Sequence, residues 1–217
     1  MKTKSLSLKI SHEIGTVSAE CKIPTKSTSI MTLAHGAGAG MNHTFLITLS
    51  QQLAAAGITT LRFNFPFTEN KKGRPDTPAV AHQTIAAAIS KAKRLFPTLP
   101  LFIAGKSFGG RMSSQYISAN PEAQADGLIF YGFPLHPIGK PSTDRAEHLK
   151  NIKKPMLFLQ GTRDELALWN LIEEVCASLR PATLVKIEGA NHAFKAGKQD
   201  IIQLLANKTK DWIEDRI

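Results

Sequence analysis

The 217-residue chain has little of what marks several common protein classes. Its two cysteines, Cys21 and Cys176, lie far apart without metal-type spacing, which excludes a disulfide scaffold and a zinc module. No apolar run reaches the ~18 residues that a membrane span needs, so no membrane partner is expected. The start, Met1-Lys-Thr-Lys-Ser5, is polar and lacks the apolar core of a secretion signal. The expected setting is therefore the cytoplasm, with free thiols. Positive charge is plentiful at +10 net, yet it never runs beyond pairs such as Lys71-Lys72 and Lys153-Lys154. No nucleic-acid motif accompanies it, so it reads as a scattered solvated face with no nucleic-acid partner. Internal repeats, low-complexity tracts and interdomain linkers are missing as well. The length fits one domain over residues 1–217, large enough to hold a core of its own.

What is present is an ordered alternation of strand and helix signals. Leu6–Ile10 and Thr16–Glu20 alternate apolar and polar residues, which predicts an antiparallel edge hairpin turning near Gly15. Thr28–Ala34 is a buried strand ending in a glycine-rich loop. A helix follows over Phe45–Ala55, stopped by Gly57, and then a strand over Ile58–Phe63. Ala79–Phe96 shows an apolar face at Ala81, Ile85, Ala88 and Ala92 and is closed by Pro97. Strands over Leu101–Ala104, Asp126–Tyr131, Pro155–Gln160 and Ala182–Glu188 complete the set, with a last helix over Ile201–Ile217. The fold class is α/β, a doubly wound and mostly parallel sheet with an N-terminal antiparallel hairpin.

The most informative stretch is Leu101-Phe-Ile-Ala-Gly-Lys-Ser-Phe-Gly-Gly110. An apolar strand stops at a Gly-x-Ser-x-Gly turn, and a helix-compatible segment follows at once. Such a turn holds its serine in a strained conformation and lifts the hydroxyl above the sheet. Ser107 is thus the candidate nucleophile. The bland alternative, a helix N-cap, would not require glycine at 105, 109 and 110 together. An acid and a histidine follow, each just past a strand: Asp164 in Gly161-Thr-Arg-Asp164, and His192 in Gly189-Ala-Asn-His192. The C-terminal strand edge is where ligands bind in open parallel sheets. His192 is expected to take the Ser107 proton and Asp164 to orient His192, with Glu165 as the rival acid. An acyl oxyanion needs two backbone donors. Phe108 N–H, directly after the serine, is one, and the loop His35-Gly-Ala-Gly38 supplies the other.

Two phosphate-binding readings fail on spacing. Gly105-Lys106-Ser107 resembles the end of a P-loop, but position 100 is Pro where that loop needs Gly. Gly36-Ala-Gly38-Ala-Gly40 resembles a dinucleotide loop, but position 41 is Met and the next strand ends Arg62-Phe-Asn-Phe65 with no acid for a ribose. No metal-ligand cluster and no organic cofactor are expected.

Four segments together resemble the α/β-hydrolase superfamily, and more closely its small, lid-poor bacterial members related to dienelactone hydrolase. They are Ala34-His-Gly-Ala-Gly-Ala39, Arg62-Phe-Asn-Phe-Pro66, Gly105-Lys-Ser-Phe-Gly-Gly-Arg111 and Gly161-Thr-Arg-Asp164. Phe133–Pro141 adds to them, and the resemblance runs from about Thr28 to the C-terminus. The order Ser107, Asp164, His192 is also that superfamily's order. The resemblance implies the fold, a hydrolytic mechanism and Ala37 as the second oxyanion donor, with Gly38 behind it. It implies no substrate, because dienelactone hydrolases carry cysteine where this chain has Ser107. Phe65, Arg111 and His136 are candidate substrate contacts, and Phe67, Arg74 and Lys140 lie near the same edge.

The expected function is a serine hydrolase cleaving an ester or related acyl bond of a small molecule through an acyl-enzyme. The alternative is a non-enzymatic interaction scaffold on the same fold. Gly132–Lys154 is too short for a cap domain and should hold a loop and one short helix over Thr143–Leu149. The expected site is an open cleft, roofed by Phe133–Pro141 and Phe65–Arg74, that prefers short acyl groups.

Overall fold

The computed structural model describes residues 1–197 and 200–217. Eight strands form one sheet: β1 Lys2–Ser11, β2 Gly15–Ile23, β3 Ser29–Ala34, β4 Ile58–Phe63, β5 Leu101–Lys106, β6 Gly127–Tyr131, β7 Met156–Gly161 and β8 Ala182–Ile187. Their spatial order is β1-β2-β4-β3-β5-β6-β7-β8. The N-terminal hairpin is antiparallel and lies at the edge, and β2 also runs antiparallel to β4. All later pairings are parallel. The hairpin is longer than its alternating core predicts, because β1 and β2 carry their pairing out to Lys2 and Ile23.

The central strands are buried on both faces, which is why they read as continuous apolar runs rather than alternating ones. On β6, Leu128 and Phe130 join one core with Ile85 of α3 (Pro78–Leu95), Met112 of α4 (Phe108–Ala119) and Ile172 of α5 (Trp169–Ser178). Ile129 and Tyr131 point the other way, into a core with Leu49 of α1 (Thr44–Ala55) and Leu205 of α6 (Ile201–Glu214).

The chain winds one way from β3 through α1 to β4 and the other way from β5 onward. The reversal falls between β3 and β5, which pair directly, Ala34 opposite Gly105. A crevice must open there, above the strands' C-terminal ends, and two loops bound it: the one after β3 and the turn after β5. The segment Phe65–Arg74 departs from expectation. It is not an open loop but contains a single helical turn, α2 (Pro66–Glu69), with proline at its first position. Between β6 and β7 there is one short 3-10 helix, Asp144–Asn151, and no cap.

Candidate active site

Ser107 joins β5 to α4 with φ 51° and ψ −116°. A residue bearing a Cβ enters such a region at a cost of about 1–3 kcal/mol. The packing around it forces the turn. A Cβ on Gly105 would stand 2.3 Å from Gly110 N, and one on Gly109 would stand 2.6 Å from the His35 carbonyl oxygen. Strand and helix are in backbone contact, so the single residue between them must bend sharply. Ser107 makes no side-chain cap hydrogen bond to α4. Its hydroxyl instead donates to His192 Nε2 at 2.8 Å.

His192 Nδ1 donates to Asp164 Oδ2, also at 2.8 Å. The Asp164 side chain is 1 % exposed, and two further donors hold it. Gln160 Nε2 reaches Oδ2 at 2.7 Å, and Leu166 N–H reaches Oδ1 at 2.9 Å. The rival acid Glu165 is exposed. In neutral imidazole only one ring nitrogen accepts, so the bond to Asp164 leaves Nε2 as the acceptor facing the serine.

Sequence reasoning missed two residues at this centre. Gln160 fixes the Asp164 carboxylate, and its Oε1 also accepts from Phe133 N–H. Lys106 places Nζ 3.3 Å from His192 Nε2 and 5.4 Å from the centre of the Phe194 ring. Burial lowers the Lys106 amine to about 8, with the Asp164 carboxylate pulling the other way. In sequence each is only one polar side chain near the end of an otherwise apolar strand, a pattern too common to single it out.

The loop after β3 packs against Ser107, since a Cβ on Gly36 would lie 3.6 Å from Ser107 Cβ. Within the described residues, neither Ala37 N–H nor Phe108 N–H donates a hydrogen bond. His35 braces this loop. Its Nδ1 donates to the Gly36 carbonyl at 2.8 Å, and its Nε2 accepts from Phe65 N–H at 3.0 Å. Burial pushes His35 down to about 4, so the ring is neutral at physiological pH.

Two hollows meet at Ser107. One, of about 460 Å³, is lined by Phe45, Leu46 and Ala193 and includes His192 and Lys106. The other, of about 380 Å³, is lined by Phe108, Arg111, Arg145, Asp76 and Pro134. Ala37 and Leu166 border both. A larger hollow of about 580 Å³, beside Thr68 and Lys71, does not reach the serine.

Of the three candidate substrate contacts, Arg111 lines a hollow that reaches Ser107. Phe65 is fully buried, ring against His35, Phe63 and Phe108, so it supports the site from below rather than walling it. His136 is 1 % exposed, and both ring nitrogens are occupied. Nδ1 bonds the Pro137 carbonyl and Nε2 accepts from Leu168 N–H. A histidine in a loop next to proline found a packing role that sequence alone does not distinguish from a binding one. The expected roof is present in part. Pro134, within Phe133–Pro141, lines the second hollow together with Leu166, whereas Phe133 is buried in the core and α2 buries Pro66 and Phe67. Among the described residues there is no His, Cys, Asp or Glu group able to hold a metal ion, and no helix is long and apolar enough to cross a membrane.

The chain superposes on dienelactone hydrolase from Anabaena variabilis ATCC 29413 with a TM-score of 0.81 at 18% identity, covering 100% of this chain and 98% of that one. An alpha-beta serine hydrolase homologue from Coxiella burnetii gives 0.77 at 21% identity, over 96% and 98%. XC6422 from Xanthomonas campestris, an α/β serine hydrolase without lid, gives 0.75 at 21%, over 98% and 95%. At these identities the likeness is one of fold. The model of the alpha/beta hydrolase domain matches residues 27–213, leaving out little beyond the N-terminal hairpin. The chain therefore belongs to the α/β-hydrolase domain family.

Proposed function

We propose that the protein is a serine hydrolase that cleaves a carboxylic ester, or a related acyl bond, of a small molecule. The observation that carries this reading is the unbroken chain from Ser107 through His192 to Asp164, with both links at 2.8 Å. Ser107 Oγ attacks the carbonyl carbon while its proton passes to His192 Nε2. The C=O π pair moves onto oxygen, where Phe108 N–H and Ala37 N–H receive it. The intermediate collapses, the C–O bond to the leaving group breaks, and His192 returns the proton to the departing alkoxide. Water then attacks the acyl-enzyme along the same path, releasing the acid and restoring Ser107. Asp164 holds the ring's tautomer and stabilises the imidazolium, and Gln160 holds Asp164. The cycle uses no metal or organic cofactor.

The strained backbone of Ser107 supports this reading over a scaffold role, since it costs stability and a scaffold has no use for it. A fluorophosphonate tests it. Ser107 should be labelled in the parent protein and labelling should vanish in Ser107→Ala with the fold intact. Equal labelling of both proteins would remove Ser107 from the mechanism.

A further inference from the structure

Ser107 lies where two hollows of opposite chemistry meet. The first is apolar apart from Lys106 and His43, and it contains His192. The second contains Arg111 and Arg145, and His192 is not among its walls. The two arginines come from different elements. Arg111 is one turn into α4 from Ser107, and Arg145 comes from the 3-10 helix between β6 and β7.

Guanidinium groups stay charged and present five donors each. Among the described residues neither arginine makes an ion pair, and neither side chain makes a hydrogen bond. Arg111 Nε is buried without a partner. Burial, and next the Arg145 charge, lower the Arg111 guanidinium from its ordinary value. The one carboxylate lining this hollow, Asp76, accepts from Phe67 N–H through Oδ2 and forms no ion pair with either arginine among the described residues. Two unpaired, half-buried guanidinium groups beside the same hollow repel each other, and an anion between them relieves that repulsion.

The side of the substrate that carries the anion follows from the proton path. His192 must reach the leaving oxygen, so the leaving group belongs in the hollow that contains His192. The acyl portion then enters the arginine hollow. Ser107 and Arg111 stand one helical turn apart and line the same hollow of about 380 Å³, which has room for a short acyl chain.

We propose that Arg111 and Arg145 form a carboxylate subsite, and that the substrates are half-esters of short dicarboxylic acids with an uncharged, apolar alcohol. This rests on the hydrolase reading above. The anion is the distal carboxylate of the acyl group, and two planar guanidinium forks suit its geometry.

The test compares benzyl hemisuccinate with benzyl butyrate, which is similar in length and uncharged, by benzyl alcohol release. The parent should prefer the hemisuccinate by at least about tenfold in kcat/KM, the scale of one charge-assisted hydrogen bond. That preference should collapse in Arg111→Gln and in Arg145→Gln, and Arg111→Lys should keep part of it. A parent that prefers butyrate, or an unchanged ratio in both Gln variants, overturns the subsite. A stronger preference for 3-acetoxybenzoate over phenyl acetate would put the anion on the alcohol side and overturn the assignment too. Binding of the two benzyl esters to Ser107→Ala, by calorimetry, separates this proposal from its parent. Tighter hemisuccinate binding that depends on Arg111 keeps the subsite even if fluorophosphonate leaves Ser107 unlabelled. Equal binding of the two esters sinks it even if labelling succeeds.

Discussion

Acid should unfasten the loop behind the proposed oxyanion donors through one buried ring. His35 is 0 % exposed, sits edge-on to Phe65 and Phe67, and is held at about 4 by burial, against an ordinary 6.5. A lowered histidine contributes stability that is complete above the unfolded value and is lost as pH falls through the folded one. The window is therefore pH 6.5 down to about 4. The gap between those two values corresponds to about 3 kcal/mol, lost by roughly one decade of proton affinity per pH unit across the window. The structural cause is specific. Protonating Nε2 aims a proton at Phe65 N–H, which now donates to that nitrogen. The assay is urea unfolding from pH 7 to pH 4. His148 is also held to about 4, mainly by burial, so it titrates in the same range. The comparison is accordingly made in a His148→Asn background, with and without His35→Asn. His35→Asn should lower stability at pH 7, because Phe65 N–H loses its acceptor, yet flatten the acid slope by ~1.4 kcal/mol per unit. Identical slopes in the two proteins would refute the reasoning.

Asp164→Asn should lower kcat by about 10⁴, as loss of the orienting carboxylate does in triad enzymes, whereas Glu165→Gln should cost little; ester hydrolysis rates decide, and a reversal moves the acid to Glu165. Lys106 bears an ammonium below about 8, where it competes with the Ser107 hydroxyl for His192 Nε2. The kcat/KM profile should therefore rise as pH passes about 8, and Lys106→Met should lack that rise. A lowered lysine adds stability only above its unfolded value and loses it as pH falls through about 8. Lys106→Met should thus raise Tm at pH 7 by about 2–4 °C for each kcal/mol of relieved charge burial, read by thermal unfolding. Along a series of esters from acetyl to dodecanoyl, kcat/KM should gain well under the ~0.8 kcal/mol per methylene of full burial, with no jump at the micelle threshold.

The doubly wound sheet was legible because each central strand is buried on both faces and each is followed by a turn residue or helix start. The elbow was legible because glycine at three positions around one serine marks a turn too tight for side chains, and all three of those glycines stand in backbone contact in the structure. Asp164 and His192 were legible by position alone, each one loop past a strand. What was not legible is which way a loop side chain turns. Phe65 and Arg111 looked equivalent as neighbours of the sheet edge, yet one closes an aromatic cluster and the other reaches a hollow. His136 differs from a binding histidine only by the partners that tertiary packing brings to its two nitrogens. Lys106 and Gln160 carried no distinctive signal, because a single polar residue at a strand end is common and its target lies on a distant segment.

The backbone contact at the elbow limits what selection or an engineer can alter. Positions 105 and 109 admit no side chain, so the two outer walls of the turn are closed to variation. Only positions 106 and 108 remain adjustable around the serine, and they open onto different territories. Lys106 reaches His192 and Phe194, while Phe108 packs edge-on against both Phe65 and Phe67. A library confined to those two codons would therefore separate changes in proton handling from changes in the aromatic floor, one residue at a time.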